Sequence, residues 1–122
     1  MNYDKSLWSS FMYAVEGIWH ALKNNRNFRI EVFLGVLAVL LGLYLQITAL
    51  EMVIVIVVIL LVILSEMVNT SLEEMVNLIT SEHKKEAKIA KDVAAGMVLV
   101  AAAGSAVIGF LIFTPYISKL FN

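Results

Sequence analysis

The sequence predicts an all-α integral membrane protein: an N-terminal amphipathic surface helix followed by three transmembrane helices. Two observations carry this prediction. Of the 122 residues, 61% are apolar and 16% are charged, and the mean hydropathy is +0.86. A soluble domain of this size is typically about 45–50% apolar and about 25% charged, and its core is too small to hide the excess found here. The charges are also clustered, so that residues 32–50, 52–65 and 93–118 contain no Asp, Glu, Lys or Arg. With no Cys and two His, disulfide scaffolds, thiolate chemistry and conventional structural zinc sites are excluded. A net charge of −1 offers no electrostatic footprint for nucleic acid.

The first element is the surface helix, expected over about residues 5–24. Trp8, Phe11, Met12, Val15, Ile18, Trp19 and Leu22 recur at helical spacing, while Asp4, Lys5, Ser9, Glu16, His20 and Lys23 fall mostly elsewhere around the axis. Such a helix lies in the headgroup layer, the alternative being a helix packed on the protein's own loop. Asn24, Asn25 and Asn27 then break the pattern.

The three spans are expected at about 29–48, 51–79 and 86–114, in a single membrane domain covering 1–122. A bilayer core needs roughly 20 apolar residues per helix, so the short charge-free stretch 52–65 must continue through Glu66 into a cytoplasmic extension. The brief turn around Thr48 makes the first two spans an antiparallel hairpin. Ala94, Ala95 and Gly96, followed by the run from Ala101 to Gly104, give the third span a small-residue face suited to close helix packing. A cleaved signal peptide is not expected, because the first 31 residues mix polar and apolar types without an isolated apolar stretch.

Lys5, Lys23, Arg26 and Arg29 precede the first span, and Lys84, Lys85, Lys88 and Lys91 lie between the second and third. The positive-inside rule therefore places the N-terminus and the second loop in the cytoplasm and the C-terminus outside, as in a multi-pass protein of the cell membrane.

The chemistry is concentrated in EMVNTSLEEMVNLI, residues 66–79. At 100° per residue, Glu66, Thr70, Glu73 and Asn77 share one narrow face, with Asn69 at its margin. Glu66 lies roughly 20 Å into a hydrocarbon core about 30 Å thick. Intramembrane acids cost about 2.5–3.5 kcal/mol each, so the stripe reads as a functional site facing protein or water, against the alternative of a polar seam joining helices. Glu74 points about 80° away and reads as a headgroup-level charge. A carboxylate at this depth suits a general base acting on a membrane-borne hydroxyl, a second one nearer the surface suits a divalent cation, and the Lys-rich loop 81–96 suits phosphates. An ion conductor lined by Glu66 and Glu73 is the competing class. Against it, residues 52–64 contain no polar side chain, so the stripe stops midway across the membrane.

The pattern E-x-x-N-T-S-x-E in the second span, followed by A-K-I-A-K-D-x-A-A-G, resembles the prokaryotic diacylglycerol kinase and undecaprenol kinase family, with the match running from about Tyr13 to Gly96. The resemblance implies a homotrimer of three-span protomers that transfers the γ-phosphate of ATP, with Mg2+, to a lipid hydroxyl, with the active site on the cytoplasmic side. It implies Glu66 as catalytic base and Asn69 as the residue orienting base and phosphate. It further implies Glu73 as metal ligand, Lys91 and Asp92 as nucleotide-binding residues with Asn77 beside them, and Tyr13 and Glu82 as contacts to adenine and ribose. Three positions depart from the pattern. Asn25 stands where the family has a second metal-binding Glu and would supply a neutral oxygen to the metal; Glu31 would replace that Glu only if the helix bends. Asn77 stands where some relatives have Asp, and Lys84 where a loop His is common, with His83 one residue ahead. The loop resembles the Gram-positive branch, which favours undecaprenol over diacylglycerol as acceptor. A non-catalytic, lipid-binding relative is the remaining alternative.

Overall fold

The computed structural model describes residues 6–122, which form four α-helices and no strand. They are α1 (Leu7–Asn24), α2 (Arg26–Leu45), α3 (Ala49–Ile79) and α4 (Lys85–Leu120). The last three are long and apolar enough to cross a membrane. The start of the expected surface helix at residue 5 lies outside the described residues.

Local chemistry sets each boundary. Ser6 caps α1, its hydroxyl accepting from the Ser9 N–H. Asn25 ends α1 in an extended conformation (φ −114°, ψ 107°) and caps α2 through its side chain, so the two helices are separate elements that share one residue. The Arg29 guanidinium then donates to the carbonyls of Leu22 and Lys23, both at 2.9 Å, which satisfies the free end of α1 and ties it to α2. Gln46 closes α2 in the left-handed conformation (φ 53°). Two residues later Thr48 and Glu51 form a reciprocal capping box that starts α3. The tight hairpin expected from the sequence is built from these two caps. α4 runs through Pro115 without ending.

Helix α3 is the centre of the bundle and packs along both α2 and α4. Its approach to α2 depends on two glycines. A Cβ on Gly35 would sit 2.7 Å from Ile59 Cγ2, and one on Gly42 would sit 2.8 Å from Met52 Cε. Beyond these contacts the chain buries little of itself: the most apolar window of α3 is 22% buried, and that of α4 only 6%. In water that much exposed apolar surface would be untenable, so lipid or further copies of the chain cover it. Trp8, Phe11, Met12, Val15, Ile18 and Trp19 on the apolar face of α1 are likewise exposed, consistent with a surface helix facing lipid.

Candidate active site

The polar residues gather at the charged end of the bundle, where the α1–α2 junction meets the second half of α3. Glu66 is 3% exposed and Asn69 8%, the deepest polar side chains together with Ser65. The Ser65 hydroxyl is satisfied within its own helix by donating to the Val62 carbonyl at 2.8 Å. Asn25 reaches across from the head of α2. Its Nδ2 donates to Glu66 Oε1 and to Thr70 Oγ1, each at 2.8 Å, while its Oδ1 accepts the Phe28 N–H at 3.1 Å. One turn further along α3, Asn69 Nδ2 lies 3.4 Å from Glu73 Oε1, and the buried Asn69 Oδ1 has no hydrogen-bond partner. These side chains, with His20, Asn24, Arg26, Asn27 and Glu74, line a polar cleft of about 300 Å³.

A larger cleft, about 900 Å³, opens beside it between the end of α3, the following loop and the start of α4. Lys91 Nζ donates to Asn77 Oδ1 at 2.7 Å, bridging α4 and α3. Lys88 pairs with Asp92 at 2.5 Å, and Lys84 stands 3.8 Å from Glu82. The two clefts adjoin along α3, since Glu73 lines one and Asn77 the other, one turn or about 6 Å apart.

The predicted residues therefore divide into two groups plus one outlier. Glu66, Asn69, Glu73 and Asn25 share the smaller cleft; Asn77, Glu82, Lys91 and Asp92 share the larger; Tyr13, on the exposed side of α1, lines neither. Two side chains sit differently from what the sequence suggests. Asn25 was expected to offer an oxygen to a metal, but its oxygen caps α2 and the group it turns toward Glu66 is the NH2. Glu74 reads from the sequence as lying off the site, yet it lines the smaller cleft, because the junction of α1 and α2 wraps over that side of α3.

Thr70 and Glu31 acquire roles that the sequence did not assign. Thr70 sits on the predicted stripe and accepts from Asn25. Glu31 lies within electrostatic reach of Glu66 and carries a buried Oε2 without a hydrogen-bond partner. Asn25 is the cap of α2 and Glu31 lies in its second turn, so the two reach the neighbourhood of Glu66 from the same helix. The sequence signal of Glu31 was an acid in the first turns of an otherwise apolar span.

The fold and this end of the bundle define a small polytopic membrane protein with an acid and amide site beside a lysine-bearing cleft. Its relatives make the class specific. The family model for prokaryotic diacylglycerol kinase matches residues 12–113. The chain is 37% identical over 106 residues to the undecaprenol kinase of Bacillus subtilis (strain 168), covering 87% of this chain and 86% of that protein. It is also 37% identical over 112 residues to a diacylglycerol kinase of Synechocystis sp., covering 91% of this chain and 64% of that protein. A diacylglycerol kinase of Haemophilus influenzae matches at 31% over 93 residues, 76% of this chain and 79% of that protein. The chain belongs to the prokaryotic diacylglycerol kinase family, and by class it is a lipid kinase.

Proposed function

We propose that the protein transfers the γ-phosphate of ATP to the hydroxyl of undecaprenol at the inner face of the cell membrane, working as a homotrimer. The observation that carries the reading is the placement of a buried carboxylate, Glu66, at the head of a polar cleft that adjoins a lysine-bearing cleft along the same helix. The loop resemblance supports this acceptor, as does the match to the Bacillus undecaprenol kinase over 86% of that protein, against 64% of the Synechocystis diacylglycerol kinase. Diacylglycerol is the second reading, supported by the two diacylglycerol kinases that also match. The distribution of Lys and Arg supports a cytoplasmic site. The thin cover on the spans supports further copies around each chain.

In this mechanism Glu66 accepts the proton of the lipid hydroxyl. The hydroxyl oxygen attacks the γ-phosphorus, the bond from that phosphorus to the β–γ bridging oxygen breaks, and ADP departs with the electron pair. Lys91, with Lys88 beside it, offsets the charge on the phosphates, and Asn77 orients the Lys91 ammonium. Asp92 holds Lys88 in place, and Glu82 borders the part of the cleft that would take the ribose. Tyr13 would reach the nucleotide only from its place on α1, outside both clefts.

Among the described residues no three acidic or His side chains cluster closely enough to enclose a metal by themselves. The donor set nevertheless fits a magnesium ion shared with substrate phosphates. Glu73 offers a carboxylate, and the unpartnered buried Oδ1 of Asn69 offers a neutral oxygen, both hard ligands of the kind that Mg2+ takes in ones and twos. When bound there, the ion would neutralise charge on the ATP phosphates.

The direct test supplies labelled ATP and Mg2+ to purified protein in mixed micelles carrying undecaprenol or diacylglycerol, with Glu66→Gln as control. Labelled undecaprenyl phosphate that disappears in the control is the expected result. Product on diacylglycerol alone would replace the acceptor, and product on neither would leave the non-catalytic, lipid-binding reading.

A further inference from the structure

We propose that Asn25 is a positioning residue for the Glu66 carboxylate and not a ligand of the metal. The proposal rests on the reading of Glu66 as the base. Its warrant is the way the carboxamide is locked. Asn25 Oδ1 accepts the Phe28 N–H at 3.1 Å as the N-cap of α2. Flipping the amide would set its NH2 against another N–H donor and leave that N–H unsatisfied at a part-buried helix end, so the cap decides that the NH2 faces α3.

The NH2 has two protons, and both are used. One goes to Glu66 Oε1 and the other to Thr70 Oγ1, each at 2.8 Å, on residues one turn apart along the same face of α3. A cation needs oxygen lone pairs, whereas this side chain turns toward the cleft a group that carries only positive partial charge. It is the right group for a carboxylate. At 3% exposure Glu66 has little water to orient it, and a charge-assisted bond in that setting is strong. Holding Oε1 in this way leaves Oε2 to receive the proton of the lipid hydroxyl.

The other ionisable groups around Glu66 do not take over this role. His20 from α1, Arg26 from α2, and Glu73 and Glu74 from α3 line the same cleft, and Glu31 from α2 lies within electrostatic reach. Among the described residues, Asn25 is the side chain that hydrogen-bonds Glu66. A carboxylate at position 25 would have no proton to donate, so the Asn in this chain exchanges one unit of negative charge near the metal for a donor on the base.

Two substitutions separate this role from metal binding and from simple support of the fold. Asn25→Asp and Asn25→Ser both keep a side-chain oxygen able to cap α2, and both lose the two donated bonds to Glu66 and Thr70. The expected result in each is a fall in kcat of about 10–100-fold, the loss associated with a hydrogen bond to a charged group. KM for ATP should stay at its wild-type value in both, and half-saturation by Mg2+ in the Ser variant, while the thermal midpoint falls because Glu66 stays buried without its donor, so kcat is read per folded molecule. In the Ser variant, Mn2+ binding with a non-hydrolysable ATP analogue, followed by electron paramagnetic resonance without turnover, should also be unchanged.

A metal-ligand role predicts a different pattern in the Ser variant, where no charge changes: Asn25→Ser binds Mn2+ more weakly, and its half-saturation by Mg2+ rises. That pattern overturns the proposal, as does a wild-type kcat in the Ser variant. If the wild type phosphorylates neither lipid, the kinase reading falls and the positioning role falls with it. If the wild type is active and these variants match it, only the positioning role falls.

Discussion

Helix α3 meets α2 at both of its ends, and the two meetings are held together by different forces. In the apolar half the helices touch through shape. Gly35 and Gly42 have no Cβ, and Ile59, Met52 and Ile47 fill the space that a Cβ would occupy. In the polar half the helices touch through hydrogen bonds from Asn25 to Glu66 and Thr70. The difference follows from the surroundings. Where lipid is the solvent, burying apolar side chains brings no hydrophobic gain, so close packing is what holds the pair. Where a carboxylate must be kept inside the protein, leaving it unpartnered would carry its full desolvation cost, so a donor is supplied. One end is built to be dense and the other to be charged, and the site belongs to the second.

Substitutions can break this contrast from either side. The largest effect is expected from Glu66→Gln, which keeps an oxygen for Asn25 but has no charge to take a proton; kcat should fall about 10²–10⁴-fold, measured as phosphate transfer to lipid. Unchanged turnover would mean that the polar end is a seam and not a site. Next comes Glu73→Gln, expected to weaken apparent Mg·ATP affinity at least about tenfold, the cost that even outer-shell partners of a metal carry. The KM for lipid should stay the same, because Glu73 stands on the nucleotide side of the cleft.

At the packed end, Gly35→Ala should cost about 1–3 kcal/mol in unfolding titrations, since the new methyl meets the stiff β-branched Ile59 at 2.7 Å. Gly42→Ala should cost less, because the atoms it meets are the far ends of Met52 and Ile47, at 2.8 and 2.9 Å. Activity per folded molecule should survive both. The smallest effect is expected far from the site. Tyr116 donates to Glu51 and so ties α4 to the start of α3. Tyr116→Phe should lower the thermal midpoint slightly, less than either glycine substitution, and leave kcat unchanged.

Much of this was legible in the residues alone, and for definite reasons. A chain in lipid must satisfy its backbone hydrogen bonds internally, so charge-free stretches become helices and their number can be counted. The face shared by Glu66, Thr70, Glu73 and Asn77 is also a local property, because the helical period converts spacing into direction. The brief turn around Thr48 and the break at the Asn-rich segment belong to the same category.

The tertiary structure alone decided which distant groups meet. Asn25 lies 41 residues before Glu66, and Lys91 lies 14 residues after Asn77, yet both pairs are hydrogen-bonded. No periodicity carries that information. It depends on how far α2 and α4 are rotated and shifted against α3, and for α2 the contacts at Gly35 and Gly42 limit that placement. The orientation of the Asn25 carboxamide is the clearest case. From sequence, an Asn offers either an oxygen or an NH2. Only the fold, by spending the oxygen on the Phe28 N–H, determines that Glu66 faces a donor.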